Sequence, residues 1–400
     1  MKYVTILIDG AADFEIEKLG NKTPLEYAYK PNINKLSEKS LLGRVKTVPH
    51  GMAPGSDVAN LSVLGYLPEK YHTGRSPLEA ASIGIKQKDT DLTFRANFVT
   101  VSKEANYDDK TMIDHSAGNI TTQESAILMD CIKEAFDDDI FRFYPGISYR
   151  NILLMKNEAR DINITPPHDF LQKKIKDHIP TGDFAEKIIS FHRMSHEILK
   201  NHPINLRREA EGENPANSLW IWGEGTKPTL GNFHKLYDKK AAVISAVDLI
   251  KGIAILAGMH SEDIERATGG LDTNFAGKAE GTIKLLSEGY DFVFLHLEAA
   301  DEASHQGNLN DKLEAIEIID KIIIKRIVEY LESIDDSYKI IIMPDHYTPV
   351  SLRTHTSDDV PFMLYNSTKE IYGSIFCERE CEKTGYRLNN GKELINLLFN

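Results

Sequence analysis

Three short apolar runs, rich in β-branched residues, each lead to acidic residues, and this repetition constrains the fold more than any other feature of the 400-residue chain. Tyr3 to Ile8 stops at Asp9-Gly10, Asp291 to Leu297 (DFVFLHL) delivers Glu298 and Asp301, and Lys339 to Met343 (KIIIM) delivers Asp345 and His346. Apolar runs of this length without polar alternation read as strands buried on both faces, as in parallel sheets covered by helices. Open sheets of that kind bind ligands beyond the carboxyl ends of their strands, which is where these side chains fall. A fourth run, Ala241 to Ile244, precedes a helical stretch from Val247 to Ala257. Asp311 to Glu332 carries Leu313, Ile316, Ile319, Ile323, Ile327 and Leu331 at helical spacing and reads as a crossover helix. Strand, helix, strand in that order implies parallel pairing, so the expected class is α/β with a mostly parallel sheet flanked by helices.

The middle of the chain has a different texture. Strands are expected at Leu92 to Val101 and Asn151 to Met155 and a helix from Thr122 to Ala135, with turn-rich stretches at Thr165 to Asp169 (TPPHD) and Ala210 to Ser218. This pattern suits a smaller α+β unit. Compact units usually span about 100 to 200 residues, so two domains are expected. The division read here is a discontinuous domain of residues 1–84 and 238–400 carrying an inserted domain of residues 85–237, with hinges near 83–86 and 236–240.

A net charge of -13 argues against a nucleic-acid or acidic-membrane partner, because attraction to phosphate backbones comes from clustered Lys and Arg. An anionic substrate must therefore be met by local positive charge. No eighteen apolar residues occur in succession, so no transmembrane helix is expected, and the N-terminal MKYVTILIDG is too short in its apolar run for a signal segment. Cys131, Cys377 and Cys381 include no second closely spaced pair to complete a zinc site and read as free thiols in a reducing cytoplasm.

Seven side chains able to hold divalent metal, with one serine, fall in five short clusters: Asp9, Gly55-Ser56-Asp57, Asp301 with His305, Asp345-His346, and His355. Mixed carboxylate and imidazole donors suit Mn²⁺, Zn²⁺ or Co²⁺, whereas Mg²⁺ or Ca²⁺ alone would favour oxygen. Asp301 and His305 are four apart, so one helical turn presents both on one face. Taken alone, each cluster has an ordinary reading, as a solvated helix face or, for Ser56 or Asp57, as an N-cap of the following helix-compatible run. Their common position after parallel strands is what points to paired metals sharing one hydroxyl nucleophile, an arrangement suited to phosphoryl transfer.

The strand ending in Asp9-Gly10, PGSDVANLSVLGY (Pro54 to Tyr66), HTGRSPLEAASIGI (His72 to Ile85), HLEAADEASHQGN (His296 to Asn308), and MPDHYTP with RTHTSDDVPF (Met343 to Phe362) resemble the archaeal-type cofactor-independent phosphoglycerate mutases of the alkaline phosphatase superfamily. The likeness continues through Ala241 to Gly258, Leu271 to Lys278 and Trp220 to Gly225. The resemblance implies an alkaline-phosphatase-like sheet with an inserted domain. It implies one metal held by Asp9, Ser56, Asp345 and His346 and a second held by Asp301, His305 and His355, with Mn²⁺ as the expected ion and Zn²⁺, Co²⁺ or Mg²⁺ as alternatives. Ser56 would be the phosphorylated nucleophile in interconversion of 3-phosphoglycerate and 2-phosphoglycerate, without 2,3-bisphosphoglycerate. Given the family, Arg75, Arg95, Arg150 and Lys278 are candidates to grip phosphate and carboxylate, since the guanidinium fork matches both. His168 and Asp169 are candidates to shuttle the proton between glycerate hydroxyls. Two departures, Glu224 in the GEG loop and Ser76 in TGRSPLEAA, touch no expected metal ligand but keep other activities open. These are a homoserine-kinase-like phosphotransferase, although no GxxxxGK[ST] segment is present, a phosphatase or sulfatase, and a metal-stabilised scaffold.

Overall fold

The computed structural model describes residues 1–157 and 161–400. The chain divides into two compact units, Met1–His72 with Thr229–Asn400, and Thr73–Pro228. The insertion therefore starts earlier than residue 85, because helix Ser76–Ser82 belongs to the second unit. Ser76 Oγ donates to Thr93 O at 2.9 Å, and Arg95 Nε donates to Glu79 Oε2 at 2.8 Å. Residues 83–86 and 236–240 consequently lie inside the units, and neither segment joins them.

The first unit is built on eight strands: β1 (Lys2–Ile8), β2 (Ser40–Val45), β3 (Ala241–Ile244), β4 (His260–Glu262), β5 (Phe292–Leu297), β6 (Tyr338–Met343), β7 (Val360–Asn366) and β8 (Arg387–Leu388). Their order across the sheet is β4-β3-β5-β1-β6-β7-β2-β8. The five strands from β4 to β6 run parallel, and β7 runs antiparallel to β6 and β2. This is the expected α/β architecture with one reversed strand. All six residues of β5 and of β6 are buried, as continuous apolar runs require when helices cover both faces.

Register sets the height of the functional residues. Ile8 pairs with Leu297, and Leu7 with Met343, so β5, β1 and β6 end level at the centre of the sheet. The next residues in each chain segment are then Asp9, Glu298 and the loop to Asp345. The crossover between β5 and β6 is helical from Leu309 to Ser333, with a wide π turn over Ile319–Ile324. In that turn buried Asp320 accepts from the amides of Asn32 and Ile33, satisfying donors at the start of helix Pro31–Ser37.

The second unit centres on strand Leu92–Val101, paired antiparallel with Arg150–Met155 and Ser218–Thr226. Its helix Thr122–Phe136 opens with a capping box, Thr121 and Glu124 satisfying each other's backbone donors. Helices Thr122–Phe136 and Ala185–Leu199 contribute Leu128, Ile132, Ile188 and Phe191 to one apolar core with that sheet. Among the described residues no helix is long and apolar enough to cross a membrane, and all three cysteines are free.

Candidate active site

The carboxyl ends of β1, β5 and β6 bring Asp9, Asp301, Asp345 and His346 together, all buried. Close approach at this point depends on Gly10. Its φ is +63°, and a Cβ there would stand 2.6 Å from Asp301 Oδ1 and 2.8 Å from Asp301 Cα. The Gly10 amide also donates to Asp345 Oδ1 at 3.3 Å, tying β1 to the loop after β6.

Ser56 reaches this cluster from helix Ser56–Val63. The N-cap is Gly55, with no side-chain cap bond, so the ordinary capping role read for Ser56 or Asp57 is not what either side chain does. Ser56 Oγ instead lies 3.2 Å from His346 Nε2, and the Asp57 carboxylate lies 2.7 Å from His72 Nε2. The helix and the Asp345 carboxylate are locked together by Asn60, whose Nδ2 donates to Ser56 O at 2.8 Å and to Asp345 Oδ2 at 2.9 Å.

Around His346 Nε2 stand Ser56 Oγ at 3.2 Å, Asp345 Oδ2 at 3.3 Å and Asp9 Oδ1 at 3.6 Å. Donors on a tetrahedral ion with bonds of about 2.1 Å are separated by about 3.4 Å, so this spacing is that of ligands sharing an ion. Asp9 Oδ1 is buried without a hydrogen-bond partner, an orphaned oxygen that a divalent cation would satisfy. Burial, with the carboxylates of Asp345 and Asp301, pushes the Asp9 carboxyl well above its ordinary range. A cation among these three groups removes that repulsion.

A second group adjoins the first. His305 Nε2 lies 3.2 Å from Asp301 Oδ2 and 2.9 Å from His355 Nε2, and His355 Nε2 lies 3.5 Å from Asp301 Oδ1. His355 arrives on the segment before β7, whose reversed direction starts that strand at the end of the sheet where Asp9 and Asp345 lie. The imidazole rings of His346 and His355 have centroids 4.0 Å apart, and ligand atoms of Asp301, His346 and His355 also fall within 4.8 Å of one another. His346 therefore borders both groups.

Orientation of the rings suits ligation. His305 Nδ1 lies 3.0 Å from Arg353 O and His346 Nδ1 lies 3.1 Å from Thr348 Oγ1, which directs each Nε2 toward the cluster. Thr348 Oγ1 also donates to Asp301 Oδ1 at 2.6 Å. Bonding to Asp301 raises the His305 pKa to about 9, while burial lowers that of His346. For Asp301, burial pushes upward, but hydrogen bonds from His305 and His355 outweigh it and hold the carboxyl well below its usual range.

Lys278 departs from the sequence expectation. Its ammonium is fully buried, 2.7 Å from Glu298 Oε2, because Lys278 lies on the buried face of helix Phe275–Ser287. It is thus not placed to grip a substrate. Asn60, Thr348, His296 and Lys278 are the supporting residues that the sequence reading missed or misassigned. Only the PGSDVAN segment, with Asn60 one turn after Ser56, held a usable signal for any of them.

The remaining candidates lie in the second unit. His168 and Asp169 sit on a short 3₁₀ turn, Pro167–Phe170, with His168 Nε2 3.6 Å from Asp169 Oδ1. The His168 ring packs edge-on to Trp222, 5.2 Å between centroids, and 6.1 Å from His115. Arg95 lies over the same Trp222 at 4.9 Å and is paired through two nitrogens with Glu79. Burial lowers the His168 pKa; Asp169 opposes this, and His115, Arg95 and Arg75 reinforce it. Arg150 is exposed beside Tyr149, which in turn meets His115. These contacts gather Arg75, Arg95, His115, His168 and Asp169 into one electrostatic neighbourhood, with His115 an addition the sequence reading did not single out.

A family model described as 2,3-bisphosphoglycerate-independent phosphoglycerate mutase matches residues 37–205. The chain is 43% identical over 400 residues to the protein of that name from Methanothrix thermoacetophila, covering 100% of both. It is 42% identical over 401 residues to the one from Methanosarcina barkeri, covering 100% of this chain and 99% of the relative. Among solved structures, a Pyrococcus horikoshii protein aligns with a TM-score of 0.82 at 31% identity, covering 99% of this chain and 96% of that one. The cofactor-independent phosphoglycerate mutase of Thermoplasma acidophilum aligns with a TM-score of 0.67 at 27% identity, covering 100% and 99%. Identity sustained from end to end, across both units, leaves one conclusion: the chain belongs to the family of 2,3-bisphosphoglycerate-independent phosphoglycerate mutases.

Proposed function

We propose that the protein interconverts 3-phosphoglycerate and 2-phosphoglycerate through a phosphoserine at Ser56. The observation that carries this reading is the convergence of Ser56 Oγ, Asp9, Asp345 and His346 at ligand-to-ligand spacing, beside Asp301, His305 and His355. Asp9, Ser56, Asp345 and His346 would hold one divalent ion and Asp301, His305 and His355 the other. Mixed nitrogen and oxygen donors suit Mn²⁺, Zn²⁺ or Co²⁺ alike; the family resemblance favours Mn²⁺, with Zn²⁺, Co²⁺ or Mg²⁺ as alternatives. Such ions supply charge that lowers the pKa of a hydroxyl and offsets the charge of phosphate oxygens.

Ser56 Oγ, its proton first lost to solvent, attacks phosphorus as the alkoxide, forming its own ester bond as the bond from phosphorus to the glycerate oxygen breaks, and leaves again as the alkoxide when the phosphoryl group returns. The phosphoryl group then rests at the start of helix Ser56–Val63, whose first amides have no intrahelical acceptor and favour an anion. The glycerate oxygen gains a proton, and the other hydroxyl loses one as it attacks the phosphoserine in return. His168 and Asp169 are the groups that move this proton, and Arg75, Arg95 and Arg150 supply positive charge for phosphate and carboxylate. Glu79 clamps Arg95, which fixes the guanidinium within the second unit. This chemistry belongs to central metabolism and fits a cytoplasmic enzyme.

Elemental analysis for bound metal, joined to an enolase-coupled assay of 3-phosphoglycerate with Mn²⁺, tests the reading. Turnover that disappears on chelation and returns with Mn²⁺ is expected. No turnover there, with O-phosphohomoserine formed from homoserine and ATP, would replace it by a phosphotransferase; inorganic phosphate released faster than 2-phosphoglycerate would replace it by a phosphatase.

A further inference from the structure

We propose that Lys278 and Glu298 are positioning residues for the metal group at Ser56, acting through His296 on Asp9. This inference rests on the two-metal reading above. Lys278 belongs to helix Phe275–Ser287, whereas Glu298 and His296 lie at the end of β5, so the three meet only in the folded first unit.

The Glu298 carboxylate is engaged on both oxygens. Oε2 accepts from Lys278 Nζ at 2.7 Å. Oε1 accepts from Ser245 Oγ at 3.0 Å and the Ala246 amide at 3.0 Å, and lies 3.0 Å from His296 Nδ1. The His296 ring is held at Nδ1, which lies 3.0 Å from Glu298 Oε1 and 3.2 Å from Ser245 Oγ, while Lys278 Nζ lies 3.4 Å from the His296 backbone carbonyl. The opposite edge of that ring presents Nε2 at 3.2 Å from Asp9 Oδ2. This approach is close but poorly aligned, and the nitrogen makes no hydrogen bond that satisfies it. His296 therefore acts as a backing wall for Asp9. With Oδ2 held against it, Oδ1 is turned toward His346 Nε2, 3.6 Å away, and is the oxygen left without a partner.

The ordinary explanation for Lys278 and Glu298 is a buried ion pair that fills space. Such pairs are poor sources of stability, since apolar residues of similar volume often do as well or better. A lysine and a glutamate at 0% and 3% side-chain exposure, paired behind the histidine that backs Asp9, are placed to orient that carboxylate. Outer partners of ligands commonly tune metal affinity by about 10- to 100-fold.

The test is the double variant Lys278→Met, Glu298→Gln, which removes both charges without stranding either one. Circular dichroism checks the fold, and titration of the metal-free protein with Mn²⁺, followed by calorimetry and by elemental analysis after dialysis, reads both sites. Wild type is expected to hold two ions per chain. In the variant one site weakens about 10- to 100-fold and the other keeps its affinity, and kcat recovers to within several-fold of wild type at saturating Mn²⁺. A folded variant that binds both ions with wild-type affinity overturns the proposal, as does equal weakening of both sites, which is the mark of a general packing defect. Should the double variant not fold, His296→Gln carries the same expectation and the same refutation. Wild type that binds no metal would overturn the two-metal reading itself, a different result from either.

Discussion

Replacing Ser56 by alanine separates a nucleophile from a structural serine. Ser56 is half-buried at the first position of its helix, and Gly55 is the N-cap with no side-chain cap bond. Among the described residues the one hydrogen-bonding contact of its hydroxyl is His346 Nε2 at 3.2 Å. Losing that contact in a partly exposed position should change stability by no more than about 0.5 kcal/mol. Three of the four donors proposed for that ion remain, so saturating Mn²⁺ should still load two ions per chain. The nearby Thr348 hydroxyl cannot substitute, since its Oγ1 donates to Asp301 at 2.6 Å and sits against the Nδ1 edge of His346. Deleting the serine of a comparable covalent mechanism costs about 10⁶ in kcat. A loss of at least about 10³-fold is therefore expected here, a barrier increase of roughly 4 kcal/mol. The enolase-coupled assay, run at saturating Mn²⁺ alongside elemental analysis and a thermal melt, reads all three quantities. Turnover within tenfold of wild type would refute the covalent role. Loss of activity together with loss of metal or of folded protein would make Ser56 a structural ligand instead.

Two further outcomes concern the second unit. His192 is fully buried, stacked on Trp220 at 4.1 Å, and its Nε2 accepts the Ile221 amide at 2.9 Å, so it stays neutral, and burial pushes its pKa down to about 3. Between that value and an unfolded value of about 6.5 the unfolded chain binds a proton that the native one does not. The resulting penalty is absent above about pH 6.5 and grows as pH falls, by about 1.4 kcal/mol per unit at most. Urea unfolding at pH 7 and pH 5 should show this loss, and His192→Gln should flatten it; an unchanged slope would remove His192 as its source. Arg95 is one of the cations that lower the His168 pKa, so Arg95→Met should raise it in a proton NMR titration of the imidazole. A value that stays put or falls would show that the guanidinium charge, neutralised by Glu79, does not reach that ring.

How far the sequence could be read depended on whether a residue's role is set locally. Asp9, Asp301, Asp345 and His346 were legible because each follows a buried parallel strand, and the register of β5, β1 and β6 then brings those strand ends level. The Asp301–His305 pair was legible because four residues make one turn of helix Ala299–Gln306. Ser56 was not legible from its own surroundings, since a serine opening a helix looks the same whether it caps or attacks; what distinguishes it is His346, 290 residues away. Only the family resemblance selected it. The start of the insertion was misplaced for a related reason. Nothing in SPLEAAS announces that its short helix packs on the second unit's sheet, and the bond from Ser76 to Thr93 is formed only after that sheet exists.

Lys278 shows how a correct motif can carry a wrong role. A lysine in a segment shared with an anion-binding family reads as an anion-binding lysine, because sequence reports the charge and not the direction of the side chain. Direction is fixed here by helix Phe275–Ser287, which buries Ala279, Thr282 and Leu286 along with Lys278. A lysine on that buried face must find a counter-ion inside the protein, and Glu298 is the carboxylate within its reach. The positive charge is then spent on orienting His296 and, through it, Asp9. A cation that cannot touch substrate can still determine where the metal ligand points, and its effect would surface in metal affinity before it surfaced in turnover.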